Sequence, residues 1–233
     1  MGRPTIVLWD IDGTLVRGGG VGQRALEAAF REVFGAPVDL GSVPFGGNTD
    51  PAIVAAGLAL LGHADETHHY DAVIAAYLRR LLVEIAERAP FYALPGVAAA
   101  LEALAADAPA QGLGTGNVEA AAWLKVEAVG LRAHFDFGGF GSDARDRGEL
   151  LRIGRDRGAA RLGLSPDGCR TIVIGDTVRD ITAARAIGAE VVAVATGGVG
   201  LEILREAAPD LALASLAGDE ALAVLRAFVR PMR

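Results

Sequence analysis

Short β-branched runs that stop at Asp, Gly or Thr, each followed by a helical pattern, constrain this chain more than any other feature. Thr5–Trp9 runs into Asp10, Gln111–Gly114 into Thr115-Gly116-Asn117, Thr171–Ile174 into Gly175-Asp176, and Val191–Ala195 into Thr196-Gly197-Gly198. Phe135–Phe140 and Leu211–Ala214 carry the same pattern more weakly. Apolar strands alternating with helices predict a doubly wound, mostly parallel sheet with helices on both faces, an α/β core of the Rossmann-like kind.

The stretch from Arg17 to Tyr92 breaks that rhythm and reads as helices alone: Gln23–Phe34, Pro51–Leu61 and Glu66–Arg88. Asp50-Pro51 is a helix start, with an N-cap residue ahead of a proline. In the third helix Tyr70, Val73, Ile74, Tyr77, Leu81 and Ile85 recur at helical spacing. Glycines Gly18, Gly19 and Gly20 lead into the block, and Pro90 and Pro95-Gly96 lie at its exit. The expected organisation is a core of residues 1–16 and 93–233 carrying an inserted all-helical cap, residues 17–92. The Gly18–Gly22 cluster lacks the spacing of a dinucleotide or P-loop motif, so a hinge is its expected role.

Composition narrows the function classes. At 233 residues, 52% of them hydrophobic, the chain can bury a sizeable core. Twenty-two basic against 29 acidic residues give a net charge of −7, which argues against a nucleic-acid groove. A small anionic substrate stays compatible where a cation neutralises it locally. The single cysteine, Cys169, excludes an intrachain disulfide framework. Thr5–Trp9 is too short for a signal-peptide core, and no run approaches the roughly 20 apolar residues of a membrane helix. A cytoplasmic protein is expected, without nucleic-acid or membrane partners. A single lysine, Lys125, stands among the 22 basic residues. Against that arginine background it suggests a site that uses a compact ammonium group.

The sharpest local feature is Asp10-Ile11-Asp12-Gly13-Thr14-Leu15 at the end of the first strand. Carboxylates two residues apart in extended chain project to one side, here into the space beyond the strand's carboxyl end, where open parallel sheets bind ligands. Two apposed carboxylates repel unless one is protonated or a cation lies between them. Either state suits hydrolysis, with a metal-held nucleophile beside a protonated acid.

Together with Gly114-Thr115-Gly116-Asn117 and Gly175-Asp176-Thr177-Val178-Arg179-Asp180, this motif resembles the haloacid dehalogenase superfamily, specifically its phosphoglycolate phosphatase-like members with a helical cap after the first motif. The resemblance covers nearly the whole chain. It implies Asp10 as nucleophile through an aspartyl-phosphate, and Asp12 as general acid and then base. It further implies Mg²⁺ held by Asp10, the Asp12 carbonyl and Asp176, and phosphate gripped by Thr115, Gly116 and Asn117. Asp180 is implied as a second acidic ligand or an outer group, or as a helix cap. The lysine expected before the fourth motif is absent from Gly141–Arg147. Arg145 and Lys125 are the two candidates for that cation, and the lone-lysine argument favours Lys125. Asp143, Asp146, Glu149 and Asp156 alternate with arginines along Arg145–Arg161, a pattern expected of a solvated face.

The expected reaction is Mg²⁺-dependent hydrolysis of a small phosphorylated metabolite by a monomer or homodimer. Dehalogenases of the superfamily lack the second carboxylate, so Asp12 argues against them. Phosphonate hydrolases need a cap lysine, and residues 17–92 contain none. Sugar-phosphate mutases share the core but need a cationic anchor in the cap, where this chain has Gly47-Asn48-Thr49-Asp50 in place of the Gly-Arg-Thr-Asp common in the family. Arg79, Arg80 and Arg88 are possible substitutes. A non-catalytic phosphate- or metal-binding module, such as a receiver-like domain, is the alternative outside enzymology; a receiver is about half this length and has no helical insertion. His63, His68, His69 and His134 show no metal-site spacing.

Overall fold

The computed structural model describes residues 2–63, 67–87 and 90–230. Six parallel strands form the core sheet: β1 (Thr5–Trp9), β4 (Ala110–Thr115), β5 (Gly138–Phe140), β6 (Arg170–Gly175), β7 (Glu190–Val194) and β8 (Leu211–Leu213). Their spatial order is β5-β4-β1-β6-β7-β8. The chain leaves β1 on one side and later returns to its other side, so the topological switch lies at the carboxyl ends of β4, β1 and β6.

Helices cover both faces. α4 (Val97–Leu104), α5 (Glu119–Ala128) and α9 (Asp219–Val229) pack on one face, with Val7, Trp9 and Ile11 pointing toward them. α6 (Arg147–Arg161), α7 (Val178–Ala186) and α8 (Leu201–Glu206) cover the other, over Ile6, Leu8 and Val173. β1 is buried along its whole length because alternate residues enter two separate cores. Each buried Ile, Leu or Val side chain contributes about 1.5–3 kcal/mol.

Three helices form the insertion: α1 (Val21–Phe34), α2 (Asp50–Leu60) and α3 (Thr67–Glu87). They share a core built on Leu26, Phe30, Val54, Leu58, Val73, Tyr77 and Leu81. Of the third helix's apolar stripe, Val73, Tyr77 and Leu81 are buried, and Tyr70, Ile74 and Ile85 pack at the edge of that core. Glu66 and Arg88, the expected limits of that helix, lie outside the described residues. Thr49 caps α2 by accepting from the Ala52 N–H (3.4 Å), with Pro51 in the first turn.

The link between core and cap holds an element without a sequence signal. β2 (Val16–Arg17) pairs antiparallel with β3 (Tyr92–Ala93), tying the entry and exit strands of the insertion together. Gly20 follows in the left-handed region (φ 83°), where the chain turns into α1. The expected Phe135–Phe140 strand shortens to its last three residues, because Phe135 and Phe137 pack into the two opposite cores. Among the described residues, no helix is long and apolar enough to cross a membrane.

Candidate active site

Adjacent strands place the acidic residues side by side. Asp10 follows β1, Thr115 ends β4 and Asp176 follows β6, and these three strands are neighbours. Asp10 N–H donates to the Ile174 carbonyl (2.9 Å), which carries the sheet ladder to the edge of the site. Asp10, Asp12, Thr115, Gly116, Asn117, Lys125, Arg147 and Asp176 all line one cavity of about 420 Å³ between sheet edge and cap.

Carboxylate oxygens of Asp10, Asp176 and Asp180 lie within 4.8 Å of one another. Burial, with the nearby carboxylates adding to it and Arg147 opposing, pushes Asp10 up to about 7. Burial, then repulsion from Asp10 and Asp180, pushes Asp176 up to about 8. Asp10 Oδ1 accepts from Arg147 Nη2 (2.8 Å), and Asp176 Oδ1 from Thr14 Oγ1 (3.3 Å). The remaining oxygen of each accepts no hydrogen bond from the described residues. Two buried carboxylates with open oxygens, destabilised as a pair of anions, are a hard donor set that suits a divalent cation such as Mg²⁺. Space for it is preserved by glycine: a Cβ at Gly13 (φ 89°) or at Gly197 would collide with the Asp176 carboxylate.

Asp180 has a different set of partners. Its Oδ2 accepts from Thr177 N–H (3.0 Å) and Thr177 Oγ1 (2.6 Å), a capping box that starts α7. Its Oδ1 accepts from Arg147 Nε (3.0 Å) and Nη2 (2.5 Å). These bonds hold Arg147 and start α7, while one Asp180 oxygen still lies within 4.8 Å of ligand atoms on Asp10 and Asp176.

The cations divide into two stations. Lys125 reaches from α5 to donate to Asp12 Oδ2 (2.6 Å) and Asn117 Oδ1 (2.7 Å), with its side chain 3% exposed. Burial alone would raise the Asp12 carboxyl, but the Lys125 ammonium and its hydrogen bond, with Asn117 and Arg147, together hold it below the usual range. Asn117 Nδ2 donates to the same Asp12 oxygen (2.9 Å) and to Thr115 Oγ1 (2.8 Å). Arg147, the first residue of α6, forms the second station between Asp10 and Asp180. Those two carboxylates raise its already high pKa despite burial. Arg145, the other sequence candidate, does not line the cavity; its carbonyl accepts from Thr49 Oγ1 (3.2 Å). Two residues further along the chain, the helix start at Asp146 turns Arg147 into the cavity. Sequence reasoning missed Arg147 because it stands in a run of arginines that otherwise pair with Asp143, Glu149 and Asp156 on the surface.

A family model for haloacid dehalogenase-like hydrolases matches residues 4–188. The chain belongs to that family. No curated protein matches the sequence. The fold of this haloacid dehalogenase-like hydrolase recurs in solved structures of low identity. CbbY from Rhodobacter sphaeroides, solved with phosphate, aligns with a TM-score of 0.70 at 18% identity, over 96% of this chain and 100% of that one. A predicted phosphoglycolate phosphatase from Haemophilus somnus 129pt gives 0.66 at 18%, over 93% and 96%. A haloacid dehalogenase-like hydrolase from Streptococcus pneumoniae gives 0.63 at 20%, over 97% and 99%.

The hydrolase's other highlighted residues lie away from this centre. Arg79 and Arg80 each pair with Glu32 at 2.7 Å on the cap surface, and Arg88 is outside the described residues. His63, His68 and His69 stack with one another and with Phe34 in the cap, while His134 lies beside Phe135. Among the described residues the Asp10-Asp176-Asp180 group is the one acidic or histidine cluster spaced for a metal.

Proposed function

We propose that this hydrolase is a Mg²⁺-dependent phosphomonoesterase acting on a small metabolite through phosphorylation of Asp10. The observation that carries the reading is the pairing of open Asp10 and Asp176 oxygens with a half-exposed Asp12 at one sheet edge. Asp10, Asp176 and the Asp12 carbonyl would hold Mg²⁺, which would supply positive charge against the phosphoryl oxygens.

Asp10 attacks phosphorus with its open oxygen as the bond to the alcohol breaks, and Arg147 fixes the other oxygen so that the lone pair points into the cavity. Asp12 is ionised in the free enzyme; its Oδ1, which accepts no hydrogen bond from the described residues, takes the proton of the incoming phosphomonoester monoanion and gives it to the leaving oxygen. The resulting carboxylate is stabilised by Lys125 and Asn117. It then takes a proton from water, whose oxygen attacks the phosphoaspartate; phosphate departs and Asp10 is regenerated. Thr115 Oγ1 and the Gly116 amide hold the phosphoryl oxygens; of the amides that follow, that of Asn117 already donates to Thr115 Oγ1 (3.3 Å). Those of Val118 and Glu119 are already taken by Asp50 Oδ2 (2.9 Å) and Ser142 Oγ (3.1 Å). The cap excludes water from the chamber.

A protein that hydrolyses p-nitrophenyl phosphate with Mg²⁺, loses turnover on chelation and recovers it on adding Mg²⁺ back fits this reading. No metal-dependent turnover across a panel of phosphomonoesters would favour a binding module instead. A mutase reading has less support, because among the described residues no cation of the three cap helices lines the cavity; Arg17, which does, lies in β2 and donates to the Thr196 carbonyl (2.5 Å).

A further inference from the structure

The half of the cavity beneath the cap has a chemistry of its own. Among the described residues its cations are Arg17, Lys125 and Arg147. Lys125 and Arg147 are committed to Asp12 and Asp10, and Arg17 donates to the Thr196 carbonyl (2.5 Å). Arg24 of α1 pairs with Glu84 at 2.6 Å. Beneath the cap, a second anionic group finds no buried cation without a carboxylate partner among the described residues; Arg17 is exposed.

Two other groups do face this half. Tyr77 of α3 is 1% exposed and lines the cavity, yet the described residues give its hydroxyl no hydrogen-bond partner. That hydroxyl opens onto the cavity, where it can bond to a polar group that enters. Asp50, at the start of α2, is also buried and lines the cavity. One of its oxygens accepts the Val118 N–H at 2.9 Å; the other takes no hydrogen bond from the described residues. Gly22 borders the same space: the position of a Cβ there is 3.9 Å from both Tyr77 Oη and Lys125 Nζ. Leu26, Phe45 and Ile53 close the remainder with apolar surface.

We propose that Tyr77 and Asp50 form a hydroxyl-recognition subsite for the alcohol half of the substrate, so that the enzyme takes phosphomonoesters of small uncharged polyols and rejects those with a carboxylate or second phosphate. A substrate hydroxyl donates to the open Asp50 oxygen and accepts from Tyr77. An anionic group in the same place meets the Asp50 carboxylate across a poorly solvated gap, where like charges repel strongly. This inference rests on the phosphatase reading above.

The test uses the full chain with Mg²⁺ and two matched substrates, sn-glycerol 3-phosphate and 3-phosphoglycerate, with p-nitrophenyl phosphate as the control for activity. The expected kcat/KM favours glycerol phosphate by about 10²-fold. Tyr77→Phe lowers the preference for glycerol phosphate over n-propyl phosphate by about 10-fold. Asp50→Asn, which keeps an acceptor for Val118, narrows the discrimination against phosphoglycerate by about 10-fold. Turnover of p-nitrophenyl phosphate together with equal or better use of phosphoglycerate, or an unchanged preference in Tyr77→Phe, would overturn the subsite alone. Failure of all substrates, p-nitrophenyl phosphate included, would overturn the phosphatase reading and the subsite with it.

Discussion

Asp10→Asn is expected to lower Mg²⁺-dependent turnover of p-nitrophenyl phosphate by about 10⁴-fold or more while the protein stays folded. The amide is nearly isosteric, so the sheet edge and the Ile174 hydrogen bond survive. What disappears is the nucleophile, since an amide oxygen does not form a phosphoryl ester that water then cleaves. Loss of a nucleophile commonly costs several orders of magnitude, because the other groups cannot act without the covalent step. Stability should move the other way. Burial and neighbouring carboxylates destabilise ionised Asp10 in the metal-free protein, so a neutral side chain relieves that repulsion. Melting of Asp10→Asn without Mg²⁺ should occur at or above the wild-type temperature. A variant that kept a tenth of wild-type turnover would remove Asp10 from the chemistry.

The second large effect belongs to Arg147. Its guanidinium lies between Asp10 and Asp180 and is itself buried. Arg147→Ala leaves two buried carboxylates without their cation, which costs about 3–5 kcal/mol. For a chain of this size that lowers Tm by roughly 6–20 °C. Turnover should fall on the order of 10²–10³-fold, as the nucleophile loses both its orientation and a nearby positive charge. Mg²⁺ should raise the Tm of Arg147→Ala more than that of wild type, because the ion then answers charge the arginine no longer answers. Lys125→Ala should also lose about 10²-fold, through Asp12 rather than Asp10. Arg145→Ala should stay within a few-fold of wild type. Equal losses at Arg145 and Arg147, measured as kcat/KM beside a melting curve, would contradict the two-station arrangement.

The contrast between Arg145 and Arg147 shows where sequence reading stops. Asp10 and Asp12 were legible because their geometry is local: a strand ends, and alternation fixes which side two carboxylates share. Asp176 was legible for the same reason, as the residue after another apolar strand. Lys125 stood out by composition alone. Arg147 carried no such mark, since arginines recur through Arg145–Arg161 and only the packing of α6 against β4 and β5 selects the one that faces Asp10. The β2–β3 ribbon was equally silent, because two-residue strands have no periodicity and exist only once entry and exit segments meet. Tyr77 read as one more core residue of a cap helix, as its spacing requires. That its hydroxyl opens onto the cavity is a tertiary fact. The helical insertion itself was visible because three apolar helices without an intervening strand cannot extend a parallel sheet, and they bury their faces on one another instead.

Phosphorylation of Asp10 during turnover is the claim on which the mechanism turns. Mixing the enzyme with p-nitrophenyl phosphate and Mg²⁺, quenching in acid within milliseconds and mapping peptides by mass spectrometry tests it directly. A single phosphoryl group on the peptide containing Asp10, appearing with substrate and disappearing as substrate is exhausted, is the predicted result. Full turnover with no phosphorylated Asp10 at any quench time, or with the phosphoryl group on another side chain, would contradict it.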